Sequence, residues 1–421
     1  MAVSVDRNTI LVYVGAIVLR LSAFIAFPTL SDFLTAQVEI STPISSFKRL
    51  QEGLFLYRHG LSPYDGGVFH QAPLLLVIFD ILPAALVFTA LDIANGLALH
   101  TIAEKLSIPT PRFKKLNGSL IAAAYLFNPL TILSCLGKST SIFTNTAIIQ
   151  AVLSAQSGNG IRAMFGIAVG SYLSMYPALL IPPVLLMVHK SSPQSSSGIV
   201  ALVATHFGLS GALLGITPTL TSGFWDFLSS CYGAQITVTD LTPNIGLWWY
   251  FFIEIFDSFR DFFIGVFWLQ LVGYVGAMTF RLQTQPLFVI TSLVGLFAVF
   301  KPYPSIADIS LYLGLLPLYQ HVLPCKCPRD LPNSSQQLTS MIVTRYTFIS
   351  ASVLLYSTLL GPAFHHLWIY AGSGNANFFY AITLVWSLGL AILVGDTLFA
   401  VMRDEWELER PEMKGKSVRQ I

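Results

Sequence analysis

Apolar runs long enough to cross a bilayer dominate the chain. A helix needs about 20 apolar residues to span about 30 Å of hydrocarbon. Ten such runs lie at 8–28, 84–104, 117–135, 141–158, 198–218, 260–281, 286–301, 305–323, 343–367 and 376–402. A further run, 161–189, is too long for one straight helix and has Tyr176-Pro177 at its middle, so we interpret it as a short hairpin. The pattern predicts an all-α, polytopic transmembrane bundle of about twelve spans.

Composition agrees with this membrane interpretation. Hydrophobic residues make up 54% of the 421 residues and charged residues only 10%, against about 25% charged residues in soluble domains. The apolar runs leave no room for an independent soluble module, so residues 1–421 are expected to form a single integral membrane domain. A net charge of +2 with scattered basic residues argues against a nucleic-acid partner. The first run ends in Phe27-Pro28 rather than at a small-residue cleavage site, which favours a retained helix over a signal peptide.

Basic residues indicate which loops face the cytosol, because Lys and Arg collect on that side of a membrane. They concentrate in alternate loops: Lys105, Arg112, Lys114, Lys115, Lys190, Arg281, Lys326, Arg329, Arg345, Arg403 and Arg410. With an even number of spans, both termini are predicted to be cytosolic. The opposite, luminal side then holds loop 29–83, region 219–258 and loop 361–375. The tail 403–421 is expected to be cytosolic, solvated and partly disordered.

Two luminal segments combine turn residues with amphipathic or aromatic stretches. In luminal loop one, residues 46–53 predict an amphipathic helix and residues 60–67 a tight turn. In the second region, Asn244 precedes the aromatic run 247–252, which suits an interfacial helix that meets lipid or a partner helix. A purely structural loop and a generic aromatic belt are the alternatives.

The last luminal stretch, 365–380, has the composition of a binding site. The side-chain amides of Asn375 and Asn377 can donate and accept hydrogen bonds, as phosphate and sugar hydroxyls require. Phe378, Phe379 and Tyr380 offer an apolar wall for acyl chains. Helix capping by Asn beside an aromatic girdle is the alternative.

Metal and cofactor sites are not predicted. His365 and His366 are adjacent and point in different directions, which makes a poor metal pair. Four cysteines are too few for a disulfide scaffold. Cys135 and Cys231 fall near the same membrane face and can pair only if the fold brings them within about 7 Å. For Cys325 and Cys327, palmitoylation, half of a zinc site and indifferent loop cysteines all stay open.

Charged residues near the apolar runs are few. Asp80, Asp92 and Asp396 are the acids in or near the runs, and Lys138 and Lys301 lie at predicted luminal helix ends, where they can snorkel to water. Because no repeated intramembrane acid or base suggests an ion pathway, a transporter is disfavoured.

Taken together, the polar segments between the runs resemble the PIG-U family, the multispan subunit of the glycosylphosphatidylinositol (GPI) transamidase complex. The resemblance spans most of the chain and rests on these segments: 45–49, 60–64, 127–135, 138–140, 240–247, 301–304, 366–373 and 375–384. It implies a complex of the endoplasmic reticulum that cleaves a carboxy-terminal signal from a precursor protein and joins the new carboxyl group to GPI ethanolamine. It also implies that the thiol-protease chemistry belongs to another subunit, that this subunit helps to hold the GPI lipid, and that Asn375 and Asn377 are the foremost headgroup contacts, with Asn244 and His366 as further candidates.

A more distant similarity, to polyprenyl-phosphate-dependent mannosyltransferases of the GT-C architecture, supplies the rival hypothesis of an enzyme. Such enzymes carry a close acidic pair on the first luminal loop, which orients the acceptor or a metal and removes a proton. This loop offers only well-separated acids: Asp32, Glu39, Glu52 and Asp65. Cys135 is the one loose candidate for a nucleophile. The sequence therefore predicts a subunit without catalytic residues and without a cofactor.

Overall fold

The computed structural model describes residues 7–220, 225–323 and 346–413. Within these ranges the chain is helical and contains no strand. The first nine helices are α1 Arg7–Ala26, α2 Pro28–Leu34, α3 Phe47–Arg58, α4 Leu74–Ile81, α5 Ala84–Lys105, α6 Gly118–Leu126, α7 Pro129–Leu136, α8 Ser141–Gln156 and α9 Gly160–Leu173. The others are α10 Ile181–Ser191, α11 Ser196–Leu220, α12 Ala234–Thr237, α13 Trp248–Glu254, α14 Asp257–Arg281, α15 Pro286–Phe300, α16 Ile306–Leu315, α17 Thr347–Ile369 and α18 Ala376–Glu409.

Six of these helices are long and apolar enough to cross a membrane: α1, α5, α11, α14, α17 and α18. The predicted run 117–135 is broken at Asn128-Pro129 into α6 and α7, which meet at 53° and can count as a seventh span. Pro129 has no N–H to continue the helix, and Asn128 Oδ1 starts a new one by accepting from Leu130 N at 2.9 Å. The remaining apolar runs form shorter helices.

The predicted break at Tyr176-Pro177 is confirmed. Helix α9 ends at Leu173, residues Tyr176–Leu180 form a 3₁₀ turn, and α10 starts at Ile181. Tyr176 is buried and stacks on Trp268 of α14 with ring centroids 5.5 Å apart. The hairpin is therefore held from inside the bundle.

Helix α15 lies at the centre of the bundle, with nearly every side chain buried. It packs against α10, α14, α16 and α18. By contrast, α1, α11, α14 and α17 have few fully buried residues, and each leaves several large apolar side chains exposed. Exposed apolar helix faces are expected where a helix meets lipid or another subunit.

Loop one folds into three short helices, α2 to α4. The predicted amphipathic helix is α3, whose first turn is capped by Ser46, since Ser46 Oγ accepts from Arg49 N at 3.4 Å. Helix α4 has only eight residues, or about 12 Å, so it is too short to span a membrane. Phe47, Phe79 and Phe88 pack together and fasten α3 and α4 to α5.

Two expectations about charged residues were wrong. Lys301 does not snorkel to water: its side chain is buried and Nζ lies 2.6 Å from Asp308 Oδ1. Nor does the tail become solvated at Arg403, because α18 continues to Glu409 and Asp404 is buried. Arg112 pairs with Asp404 and with Glu407, and these contacts favour helix where the sequence suggested disorder. Residues 414–421 lie outside the described ranges, as do Cys325 and Cys327.

Candidate functional site

The α17–α18 hairpin presents the predicted asparagines at its turn. Gly389 of α18 lies against Val353 and Leu354 of α17, so the two helices run antiparallel in close contact. The turn closes through Ser373 N and Gly374 N, which donate to Leu367 O at 3.0 and 3.1 Å. Gly372 takes a φ of +62°, a conformation that favours glycine.

Asn375 and Asn377 are both exposed, and each has one structural contact. Asn375 caps α18, because its Oδ1 accepts from Phe378 N at 3.2 Å. Asn377 Oδ1 accepts from the hydroxyl of Tyr250 on α13. The alternative of helix capping is thus realised for Asn375, and its exposed position also leaves it accessible to a ligand.

The three aromatic residues after the asparagines take different positions. Phe378 is 56% exposed and lies over Phe364, Phe379 is fully buried, and Tyr380 donates to Leu247 O at 3.0 Å. Phe379 packs among Trp249, His365 and Trp368, with ring centroids 5.1 to 6.3 Å apart. They therefore form a wall with one exposed member and two that hold α13 and α17 against α18.

Asn244 and His366 lie in different surroundings. Asn244 is fully buried; Nδ2 donates to Thr242 O at 3.0 Å, and Oδ1 accepts from Gly246 N at 2.7 Å. It therefore stabilises a turn. His366 is exposed and stacks on Tyr370 with centroids 5.4 Å apart, whereas His365 is buried against Phe379. The structure separates the two histidines, as their adjacency predicted.

A cavity of about 200 Å³ lies beside the middle of α17 and the first half of α18. Its walls come from α2 and the loop after it, α7, the start of α16, and the facing sides of α17 and α18. Most of the lining is apolar, and Phe379, Ile245 and Trp386 contribute to it. The polar lining residues are Gln37, Glu39, Ser357, Thr358 and Thr383.

Among the described residues, Glu39 is the one acid in this lining. From the sequence alone, Glu39 was considered only as a potential catalytic acid. Its backbone oxygen accepts from Ile306 N at 2.9 Å, which places the residue where α16 begins. Carboxylate Oε1 is buried and has no hydrogen-bond partner among the described residues. Burial raises the pKa of Glu39 to about 7, against a smaller opposing effect of its own backbone N–H. The sequence alone could not reveal this burial, because the residues around Glu39 lie as far along the chain as Trp386.

A second polar cluster joins loop one to the 240–247 segment. Arg49 Nη1 lies 2.5 Å from Asp240 Oδ2, and His70 Nε2 lies 3.5 Å from the same oxygen. Burial would raise the pKa of Asp240, but hydrogen bonds from His70, Thr242 and Arg49 outweigh it and hold the pKa well below its usual range. Two segments that carried the family resemblance are therefore linked by an ion pair.

Cys135 and Cys231 are both buried and do not pair with each other. Cys231 Sγ contacts Gln71 O at 3.1 Å, whereas Cys135 lies within α7. In the described part of the chain, no group of three or more His, Cys, Asp or Glu residues is placed to hold a metal ion.

Comparison with known proteins gives a consistent result. A family model described as "GPI transamidase subunit PIG-U" matches residues 14–386. The GPI transamidase component GAB1 of Saccharomyces cerevisiae is 36% identical over 418 residues, covering 98% of this chain and 99% of the relative. The GPI-anchor transamidase component PIGU of Homo sapiens is 33% identical over 431 residues, covering 95% of this chain and 94% of the relative. The Schizosaccharomyces pombe GAB1 homolog is 32% identical over 411 residues, covering 94% and 95%. This chain belongs to the PIG-U family.

Proposed function

We propose that this chain is the non-catalytic subunit of a GPI transamidase complex that binds the GPI lipid and helps to attach GPI anchors to precursor proteins in the endoplasmic reticulum. Its relatives are named as components of that transamidase. The observation that carries the lipid-binding part is the cavity between loop one and the α17–α18 hairpin, with exposed Asn375 and Asn377 at the hairpin's turn. The partners are the other subunits, including a thiol-protease catalytic subunit, and the precursor protein that they process.

The membrane arrangement that fits this role has about twelve crossings in a GT-C-like bundle, with both termini cytosolic. The shorter helices α8, α9, α10, α15 and α16 then cross together with the six long ones and the bent pair. In this orientation the hairpin turn and loop one face the lumen. A cysteine introduced at exposed Glu52 should react with an impermeant maleimide only after sealed microsomes are permeabilised, because loop one then becomes accessible from the lumen. A cysteine at Lys114 should react in intact microsomes.

Headgroup contacts must supply most of the selectivity. Lipid tails are already in hydrocarbon, so moving them from the bilayer into an apolar cavity contributes little. Hydrogen bonds from side-chain amides to sugar hydroxyls or phosphate discriminate between headgroups instead. Asn375 and Asn377 therefore matter more to recognition than Phe378, Phe379 and Tyr380.

The test is to purify the tagged protein from its own cells in mild detergent and to identify bound proteins and lipids by mass spectrometry. The wild-type protein should bring a thiol-protease partner and a GPI lipid. The Asn375→Ala, Asn377→Ala double variant should keep the partner and lose the lipid, with less anchor transfer. Asn117→Ala is a matched control, since Asn117 is an exposed Asn that caps α6.

Two outcomes would overturn the proposal. Loss of the partner subunits in the double variant would make the asparagines structural. A protein purified alone that transfers mannose from a polyprenyl phosphate would establish the alternative, an active GT-C-type mannosyltransferase. The separated acids of loop one argue against the enzyme, and Asp32 is directed to Lys138, with Oδ1 3.9 Å from Nζ.

A further inference from the structure

The hydroxyl groups that line the cavity have already donated their protons. Ser357 Oγ donates to Val353 O at 2.7 Å, Thr358 Oγ1 to Leu354 O at 2.6 Å, and Thr383 Oγ1 to Tyr380 O at 2.7 Å. Each of these oxygens can therefore only accept from a ligand. Together with the unpartnered Oε1 of Glu39, they are acceptors. Gln37 is the remaining polar residue named in the lining, and its Nε2 donates to Phe33 O at 3.4 Å.

The charge and the aromatic rings of the cavity lining both favour a cationic ligand. Among the described residues, Glu39 is the only charged side chain in the lining, and no Lys, Arg or His accompanies it. Phe33, Phe379 and Trp386 contribute rings, and aromatic faces attract cations. A ligand with several hydrogen-bond donors, a positive charge and no anionic group that needs a cationic partner fits this lining.

We infer that the cavity recognises the primary ammonium group of a glycolipid's amino sugar, with Glu39 as its ion-pair partner. This inference rests on the proposed function and deepens it, since a GPI lipid carries an unacetylated glucosamine next to inositol. Trp386 Nε1 has no hydrogen-bond partner in the described part of the chain, so it can donate to a neighbouring sugar hydroxyl. Glu39 is thus a specificity-determining residue for the lipid substrate.

An amino sugar fits better than phosphatidylethanolamine. In phosphatidylethanolamine only two carbons separate the ammonium group from the phosphate, so the phosphate would lie close to Glu39 in a cavity without a cation. In glucosaminyl-phosphatidylinositol the inositol ring moves the phosphate farther away. The distance between the cavity and the hairpin turn is also suitable. Ten residues of α18 separate Trp386 from Ala376, a rise of about 15 Å. With the amino sugar in the cavity, the outer sugars of the glycan can extend over this distance to Asn375 and Asn377.

The experiment compares two lipids that differ at one nitrogen. Purified complex is titrated with glucosaminyl-phosphatidylinositol and with N-acetylglucosaminyl-phosphatidylinositol, in which acetylation removes the positive charge. Wild-type complex should bind the amine form at least tenfold more tightly. Glu39→Gln keeps the shape but removes the charge, and it should bind both lipids equally, at the level of the acetylated form. Glu52→Gln is the matched control, because Glu52 is an exposed acid of the same loop, and it should retain the preference.

Other results would overturn the inference in recognisable ways. Equal binding of both lipids by the wild type would reject the role of the ammonium group while leaving lipid binding by this subunit intact. If Glu39→Gln kept the wild-type preference for the amine lipid, that preference would come from the bulk of the acetyl group and not from the charge of Glu39. Competition by phosphatidylethanolamine as strong as that of the amino-sugar lipid would assign the cavity to a bilayer lipid. Binding of neither lipid would reject the proposed function as well. The wild-type comparison decides the matter even if Glu39→Gln fails to assemble.

Discussion

Arg20 donates from Nε to Asp92 Oδ2 at 2.8 Å, and neither side chain is exposed at all. The pair joins α1 to α5, two of the helices long enough to span a membrane. Arg20 also donates to Leu126 O at 2.9 Å and to Ala16 O at 3.3 Å, so the guanidinium satisfies the end of α6 as well. Buried charges in spans are costly unless they are paired, and this pair therefore orders the three helices relative to one another.

Breaking this pair on one side should destabilise the protein strongly. Asp92→Ala leaves an uncompensated buried guanidinium, for which about 3 to 5 kcal/mol is expected. The double variant Arg20→Met, Asp92→Leu removes both charges and should recover most of that loss. Thermal unfolding in detergent measures both effects. A double variant no more stable than Asp92→Ala would show that the hydrogen bonds of Arg20 to Leu126 and Ala16, rather than the ion pair, carry the stability.

The sequence predicted the all-helical class, since runs of apolar residues specify helices locally, and six of the helices are long enough to span a membrane. The total of about twelve crossings stays a prediction. It also predicted the break at Tyr176-Pro177, because proline acts on its own turn. It did not predict the break at Asn128-Pro129, which divides the run 117–135. It did not identify the Arg20–Asp92 pair, although an arginine inside the first run was a visible signal. Partners 72 residues apart cannot be matched from spacing. The cavity around Glu39 was missed for the same reason, since six segments of the chain, from Phe33 to Trp386, form it.

Asn375 has two separable roles, and one substitution distinguishes them. Serine can cap a helix as asparagine does, whereas alanine cannot, at a cost of about 1 kcal/mol. Asn375→Ser should therefore keep the thermal stability of the wild type but lose GPI lipid on purification, and Asn375→Ala should lose both. Differential scanning fluorimetry and lipid mass spectrometry give the two readouts. Full lipid retention by Asn375→Ser would mean that Asn375 only caps α18.

The stability of the helical structure at the carboxy-terminal end of α18 should depend on Arg112. Its guanidinium lies 2.8 Å from Asp404 Oδ1 and 2.5 Å from Glu407 Oε2. Arg112→Ala leaves the buried carboxylate of Asp404 without this partner, and a loss of about 1 to 3 kcal/mol is expected. Limited proteolysis should then cut more rapidly within 403–409. Lys114→Ala, an exposed lysine of the same loop, should behave as the wild type; equal protection in both variants would refute the role of Arg112.

Neighbouring charges do not compete with Glu39 for a ligand. Asp32 and Asp308 pair with Lys138 and Lys301, at 3.9 and 2.6 Å. On α17, His365 packs against Phe379 and His366 stacks on Tyr370. The half of α18 from Ala376 to Trp386 carries no titratable group except Tyr380. The part of any pH dependence of amine binding below neutral pH that disappears in Glu39→Gln should therefore report Glu39.

That pH dependence has a definite sign. With a pKa of about 7, roughly half of unliganded Glu39 is ionised at about pH 7 and only about 3% at about pH 5.5. An ammonium group binds the ionised form of Glu39, so a protonated Glu39 must lose its proton before the lipid can bind. Affinity for glucosaminyl-phosphatidylinositol should therefore fall about 15-fold from about pH 7 to about pH 5.5. Glu39→Gln, and the acetylated lipid on the wild-type complex, should show no such change. Tighter binding in acid would instead make Glu39 a protonated hydrogen-bond donor to the lipid, because only the neutral carboxyl group gains population as the pH falls.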